Sequence, residues 1–198
     1  MCIRDSHRVV TVDLHAGQIQ GFFDMPVDNL FTTPIFARFI KKNIKSKNLI
    51  CVSPDAGAIE RTRALATKIN ADLAIIDKRR PEPGKSKVMN IIGNVKNKDC
   101  IIIDDIIDSG GTIINAADAL VKKGARNVYV FITHAVLSGD AIKNIQKSRI
   151  KKLVITDTID NSKKIKKANK IQVLSISQLM AEAIKRISNS TSVSSLFN

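Results

Sequence analysis

The segment Cys100–Thr112, CIIIDDIIDSGGT, restricts this chain more than any other. Cys100–Ile103 is apolar at every position, with none of the in-and-out alternation of a half-exposed strand. Such a run, read as a strand over Cys100–Asp104, belongs in the middle of a parallel sheet covered on both faces. Two acids, Asp104 and Asp105, follow at its carboxyl end, and Asp108-Ser109-Gly110-Gly111-Thr112 then leads into a helical pattern. The glycines permit positive φ and let backbone N–H groups come close to an anion. A helix N-terminus adds partial positive charge, and Ser109 and Thr112 add hydroxyl donors. The acid pair would repel a phosphate, so it must serve something else, and sugar hydroxyls or a Mg²⁺ ion suit carboxylate oxygens. A lone Gly-Gly-Thr would mark only a capped turn. Strand, acid pair and Asp-Ser-Gly-Gly-Thr in succession read as a seat for a phosphorylated ribose.

The remainder of the chain repeats the strand-then-helix rhythm. Short β-branched runs lie at His7–Val12, Leu49–Ser53, Leu73–Asp77, Val128–Thr133, Leu153–Thr156 and Ile171–Leu174. Between them, helical periodicity covers about Ile59–Ile69, Thr112–Lys123, Gly139–Gln146 and Ser177–Ile187. Thr33 reads as an N-cap with Pro34 in the first turn of another helix carrying Ile35, Phe36, Phe39 and Ile40. This alternation builds an α/β fold, a parallel sheet flanked by helices, with ligands bound beyond the carboxyl ends of the strands.

Composition narrows the class of function. The 198 residues are 44% hydrophobic, ordinary for a globular chain, and no apolar run approaches the ~18 residues of a membrane span. Met1–Ser6 has no apolar signal-peptide core. The three cysteines are far apart and two of them, Cys51 and Cys100, sit in strand-like runs, as buried free thiols in a reducing compartment would. The net charge of +14 admits nucleic-acid binding, but lysines are dispersed and only 4% of residues are aromatic, so base-stacking platforms are scarce. A lysine-rich, solvated surface that attracts anionic metabolites accounts for the charge better.

Three further segments bear chemistry, each with a plainer alternative. In Thr11–Leu30, His15 follows a strand with Asp13 two residues earlier; the pair suits a divalent metal at a nucleotide phosphate, or else a hydrogen-bonded loop. Asp55, after the strand at Cys51–Ser53 and before a small-residue turn, suits a metal or ribose contact, or else opens a helix. In Ile75–Gly93, a strand runs into Lys78-Arg79-Arg80 and a Pro/Gly-containing loop. Cations so placed can stabilise a transferred phosphoryl group, and Pro81–Lys87 can close as a lid; the alternative is an exposed basic hairpin tip.

The Asp104–Thr112 segment resembles the phosphoribosyl-diphosphate motif of type I phosphoribosyltransferases. With DLHAGQIQGFFD and DKRRP in the same order, the chain resembles the ribose-phosphate diphosphokinases from about His7 to Asn198. The resemblance implies a type I phosphoribosyltransferase-like domain over residues 33–187, and a remnant of a second similar domain over residues 1–32 to which 188–198 return. It implies transfer of the diphosphoryl group of ATP to the 1-hydroxyl of ribose 5-phosphate, giving 5-phosphoribosyl 1-diphosphate and AMP, with Mg²⁺ as cofactor. Carried over by position, Lys78 and Arg80 stabilise the transition state. Arg80, Asp104, Asp105, Asp108, Ser109, Gly110, Gly111 and Thr112 hold ribose 5-phosphate, and His15 and Asp55 contact Mg²⁺–ATP. Gln20, Asp28, Asn29, Ser192, Ser194 and Phe197 match an interface site for phosphate and ADP. A cytoplasmic homo-oligomer, a hexamer built from dimers, is implied, with neither membrane nor nucleic acid as partner.

Departures from the family pattern matter too. Family members carry a longer N-terminal part, and Met1–Ser6 does not resemble it. His7–Thr32 is therefore expected to form an incomplete sheet with an unpaired edge. This favours a second reading, a truncated or regulatory non-catalytic paralogue that binds ribose phosphates or associates with full-length subunits. Ala58 stands where the family often has a second glycine.

Overall fold

The computed structural model describes residues 7–79 and 88–197. Its centre is a seven-stranded sheet in the order β5-β4-β3-β6-β7-β8-β9. The strands are β3 (Leu49–Ser53), β4 (Asp72–Arg79), β5 (Val88–Ile92), β6 (Asp99–Ile107), β7 (Asn127–Ala135), β8 (Lys152–Thr156) and β9 (Ile171–Leu174). All neighbours pair in parallel except β4 and β5, which are antiparallel from Ile75↔Ile92 to Arg79↔Val88. The central position of β6 explains its unbroken apolar run. Cys100 and Ile102 face the layer holding α3 (Gly111–Lys122) and α4 (Ala141–Lys147), while Ile101 and Ile103 face α1 (Thr33–Asn43) and α2 (Ile59–Ile69). On the second face Phe131 meets Phe36 edge-on at 5.4 Å between ring centres, and Phe39 at 6.0 Å. Cys51 and Cys100 are buried on opposite faces, and burial pushes both thiols up to about 12, so neither is a nucleophile at neutral pH.

A separate two-stranded parallel ribbon, β1 (Val9–Val12) with β2 (Val27–Leu30), precedes the sheet, and a 3₁₀ turn at Gly17–Phe22 lies between its strands. The ribbon is fastened to the sheet by polar contacts at its carboxyl end. One Asp13 oxygen accepts from the Thr32 amide at 3.2 Å, the Thr32 hydroxyl at 2.5 Å and the Thr133 hydroxyl at 2.7 Å. His134 of β7 donates through Nε2 to the Val12 carbonyl at 2.8 Å. The last helix, α5 (Ser177–Ser188), follows β9, and a short 3₁₀ turn at Ser194–Phe197 ends the described chain.

Four expectations from sequence change. β2 and β5 leave no strand pattern in the sequence: Asp28 and Asn29 are poor strand formers, and Val88–Ile92 reads as the far side of a loop until it pairs with β4. β6 does not stop at Asp104 but continues to Ile107, held by pairing with β7 as far as Ile107↔Ala135. The residue before α1 is Thr32 rather than Thr33, and its hydroxyl serves Asp13 instead of capping the helix.

Candidate ribose-phosphate site

The site lies where β1, β3 and β6 end. β6 delivers Asp104 and Asp105, then turns through the exposed Asp108 and Ser109 to Gly110, which stands at φ 80° and starts α3. No side chain caps α3, so its first amides are left for a ligand, and Gly111 and Thr112 are exposed beside them. A Cβ at Gly110 would only touch Ile114, Ile107 and Ile145 at 3.6–3.7 Å, so the backbone angle, not crowding, asks for glycine there.

The two acids have different fates. Asp105 is 2% exposed and in phase with Ile101 and Ile103, on the side of α2. Its Oδ1 meets Arg61 Nη1 at 3.2 Å and its Oδ2 accepts from His15 Nδ1 at 2.7 Å. Burial opposes its charge, but the hydrogen bond shared with Asp104, the Arg61 guanidinium and the His15 hydrogen bond hold it below the usual carboxylate range. Asp104, half-buried, is pushed up to about 7, first by burial and then by hydrogen bonding and repulsion from Asp105. Two adjoining carboxyls cannot both ionise freely, and the one with the cationic partners keeps its charge. Asp104 is thus the acid of the pair whose charge is disfavoured, just before the glycine turn into α3.

His15 and Asp13 do not form the pair their spacing suggested. Asp13, at φ 44°, is turned to Thr32 and Thr133, and His15 reaches Asp105 instead. Asp55 closes its own turn: Oδ1 accepts from the Ala58 amide at 3.1 Å, and its carbonyl accepts from the Ser53 hydroxyl at 2.6 Å. Lys78 lies in β4 by its backbone, but its side chain, all of Arg80 and the segment Pro81–Lys87 lie outside the described residues, as does Met1–Ser6.

Of the residues matched to an interface site, Asp28, Ser192 and Ser194 line one cleft of about 510 Å³ with His7, Arg8 and Thr191. Arg8 pairs with Asp28 at 3.3 Å. Gln20 instead donates to the Gly17 carbonyl at 3.1 Å, and Asn29 ties the ribbon, accepting from Thr11 at 3.1 Å and the Leu14 amide at 3.2 Å. The Phe197 side chain lies outside the described residues.

Among the described residues, no three His, Cys, Asp or Glu side chains converge on one point. Mg²⁺ does not require such a cluster, because it keeps several waters and is held by one or two protein groups together with substrate phosphates. The His15 bond to Asp105 engages Nδ1, which leaves Nε2 as the nitrogen a metal could take.

Sequence reasoning missed Arg61. In Glu60-Arg61-Thr62-Arg63 it reads as one of several solvated charges on a helix, and only tertiary structure aims it at Asp105.

Fold and site define the class: a mostly parallel α/β domain with a glycine turn into an uncapped helix beyond the carboxyl end of its central strand. A family model for the phosphoribosyl synthetase-associated domain matches residues 78–198, and the chain belongs to that family. A ribose-phosphate pyrophosphokinase from Brucella melitensis is 56% identical over 96% of this chain and 62% of its own length. One from Granulibacter bethesdensis is 53% identical over 98% and 62%. The crystal structure of phosphoribosylpyrophosphate synthetase from Mycobacterium smegmatis superposes with a TM-score of 0.86 at 34% identity, covering 94% of this chain and 60% of that one. The chain therefore spans about three-fifths of the length of these relatives.

Proposed function

We propose that this chain carries the ribose 5-phosphate half of a diphosphoryl-transfer site, and that the reaction moves the diphosphoryl group of ATP onto the sugar's 1-hydroxyl. The products are 5-phosphoribosyl 1-diphosphate and AMP. The observation that supports this best is the uncapped, solvent-facing start of α3 directly after β6 and its acid pair. The relatives named ribose-phosphate pyrophosphokinase agree with it.

In this reading the amides of Gly111 and Thr112, with the Ser109 and Thr112 hydroxyls, take the 5-phosphate. Asp104 accepts from the ring hydroxyls, with Asp108 beside it, and this fixes the 1-hydroxyl for attack. Bound through His15 Nε2 and Asp55, Mg²⁺ would neutralise triphosphate charge. Lys78 and Arg80 stabilise charge on the transferred group. Phosphoryl transfer demands little covalent help, so positioning and charge neutralisation supply most of the rate.

Residues 33–187 would form the catalytic domain and residues 1–32, with 188–198, part of a second one. The cleft holding Asp28, Ser192 and Ser194 would take phosphate or a nucleotide between subunits of a homo-oligomer. The test is to incubate the chain with ATP, Mg²⁺ and ribose 5-phosphate, measure AMP, and titrate ribose 5-phosphate calorimetrically. Saturable sugar-phosphate binding with AMP release is expected. Binding without AMP supports the non-catalytic reading, and no binding removes both.

A further inference from the structure

We infer that Arg61 is a positioning residue for His15, acting through the Asp105 carboxylate that the two share. The inference rests on the reading of His15 as a Mg²⁺–ATP contact, which it deepens.

The three side chains come from three different elements. Asp105 is on β6 with its side chain 3% exposed; Arg61 is in the first turn of α2 and 22% exposed; His15 lies past β1 and is 79% exposed. A ring that open to solvent would ordinarily sample several rotamers. Here one edge is pinned, because the carboxylate it donates to cannot turn: Oδ1 is held by Arg61 at 3.2 Å while Oδ2 takes Nδ1–H at 2.7 Å. α2 fixes the guanidinium in turn. Its inner face buries Thr62, Leu65, Ala66 and Ile69, and the Thr62 hydroxyl donates to the Ala58 carbonyl at 2.7 Å.

The consequence is a defined tautomer. An ionised carboxylate only accepts, so Nδ1 carries the proton and Nε2 presents its lone pair outward. Carboxylates behind a metal-binding histidine act in this way, orienting the ring and raising its basicity. The arrangement here has one more tier, with a cation holding the almost wholly buried carboxylate in place. Without the guanidinium, Oδ1 loses its cationic hold, the carboxylate is free to rotate, and the imidazole is released. If Arg61 merely neutralised Asp105 for the sake of folding, its loss would lower stability and leave the ring of His15 as it was.

The experiment uses the ¹⁵N-labelled 198-residue chain and long-range ¹H–¹⁵N correlation of its three histidines at a pH where imidazole is neutral. The wild type should show His15 as the Nδ1–H form. In Arg61→Met the ratio of Nδ1–H to Nε2–H should fall roughly tenfold, the weight of one charge-assisted hydrogen bond, with His7 and His134 unchanged. Arg61→Lys, which keeps charge but loses the fork, should restore part of the ratio. Affinity for Mn²⁺–ATP, used as probe, should fall about tenfold or more in Arg61→Met. A folded Arg61→Met with the wild-type His15 ratio overturns the inference. Should that variant not fold, Arg61→Gln is scored by the same two outcomes. An absence of AMP formation by the wild type would defeat the proposed reaction and leave the tautomer result standing, so the two failures are separable.

Discussion

Replacing Gly110 with alanine separates the cost of folding from the cost of binding. Gly110 stands at φ 80°, and an added Cβ would meet side-chain carbons no closer than 3.6 Å. Packing therefore charges nothing, and the penalty is that of a left-handed L-residue, about 1–2 kcal/mol. Restricting the unfolded chain returns about 0.4–1 kcal/mol, so the net loss should be about 1 kcal/mol. For a chain of this size that lowers the melting temperature by about 2–4 °C. Binding should suffer more. The same residue aims the first amides of α3, and relaxing it misdirects hydrogen bonds to a charged phosphate worth about 1.5–3 kcal/mol each, so ribose 5-phosphate affinity should drop at least about tenfold. Gly93→Ala is the control. There φ is 117° and the new Cβ would lie 2.8 Å from Ala74 Cβ and 3.1 Å from its Cα. Strain and overlap together should cost about 2–5 kcal/mol, far from the phosphate loop in effect. Calorimetric unfolding and isothermal titration read both quantities. If Gly110→Ala melts as low as Gly93→Ala, or binds ribose 5-phosphate like the wild type, the account of this loop is wrong.

Asp99, at the opposite end of β6, is 3% exposed and receives Arg126 through Nε at 3.0 Å and through Nη2, and Asn127 at 2.7 Å. Burial opposes its ionisation, but hydrogen bonds from Arg126, Ser46 and Asn127 outweigh it and bring the carboxyl from 3.8 to about 2. A lowered folded pKa gives stability that is present above about pH 4 and lost as pH falls towards 2; it amounts to about 2 kcal/mol, nearer 1 once the half-exposed Arg126 is discounted. Asp99→Asn should flatten that acid limb in pH-dependent urea unfolding, and an unchanged limb refutes the assignment. Asp104 has the reverse sign: with its folded pKa raised from 3.8 to about 7, its contribution is intact only below about pH 4 and is lost progressively as pH rises to about 7. Asp104→Asn should therefore melt above the wild type at about pH 8 and alike at about pH 3, while binding ribose 5-phosphate more weakly; equal melting at both pH values counts against the raised pKa. Lys78→Ala and Arg80→Ala should each lower turnover by about 10²-fold or more with little change in ribose 5-phosphate affinity, and parallel losses in both would show that these cations only bind.

Much of the architecture was legible in local pattern because burial on two faces leaves a mark in composition. The strand Leu49–Ser53 and the helix Ile59–Ile69 fall where their residues indicate, and Cys100–Ile103 could hardly sit anywhere but between two helical layers. The glycine turn into α3 was legible for a similar reason, since glycines at a helix start answer to backbone geometry a few residues long. What no local pattern holds is partnership across the chain. Asp13 reads as a companion of His15 but is 120 residues from the Thr133 hydroxyl it accepts, and Asp105 finds its cation on a helix that precedes it by more than forty residues. β2 and β5 exist only because another strand offers them hydrogen bonds. Residue type and spacing thus mark the doubly buried strand and the glycine turn into the helix that follows it. Which carboxyl keeps its charge, and which histidine nitrogen is left open, depends on distances and desolvation that arise only when remote segments pack together.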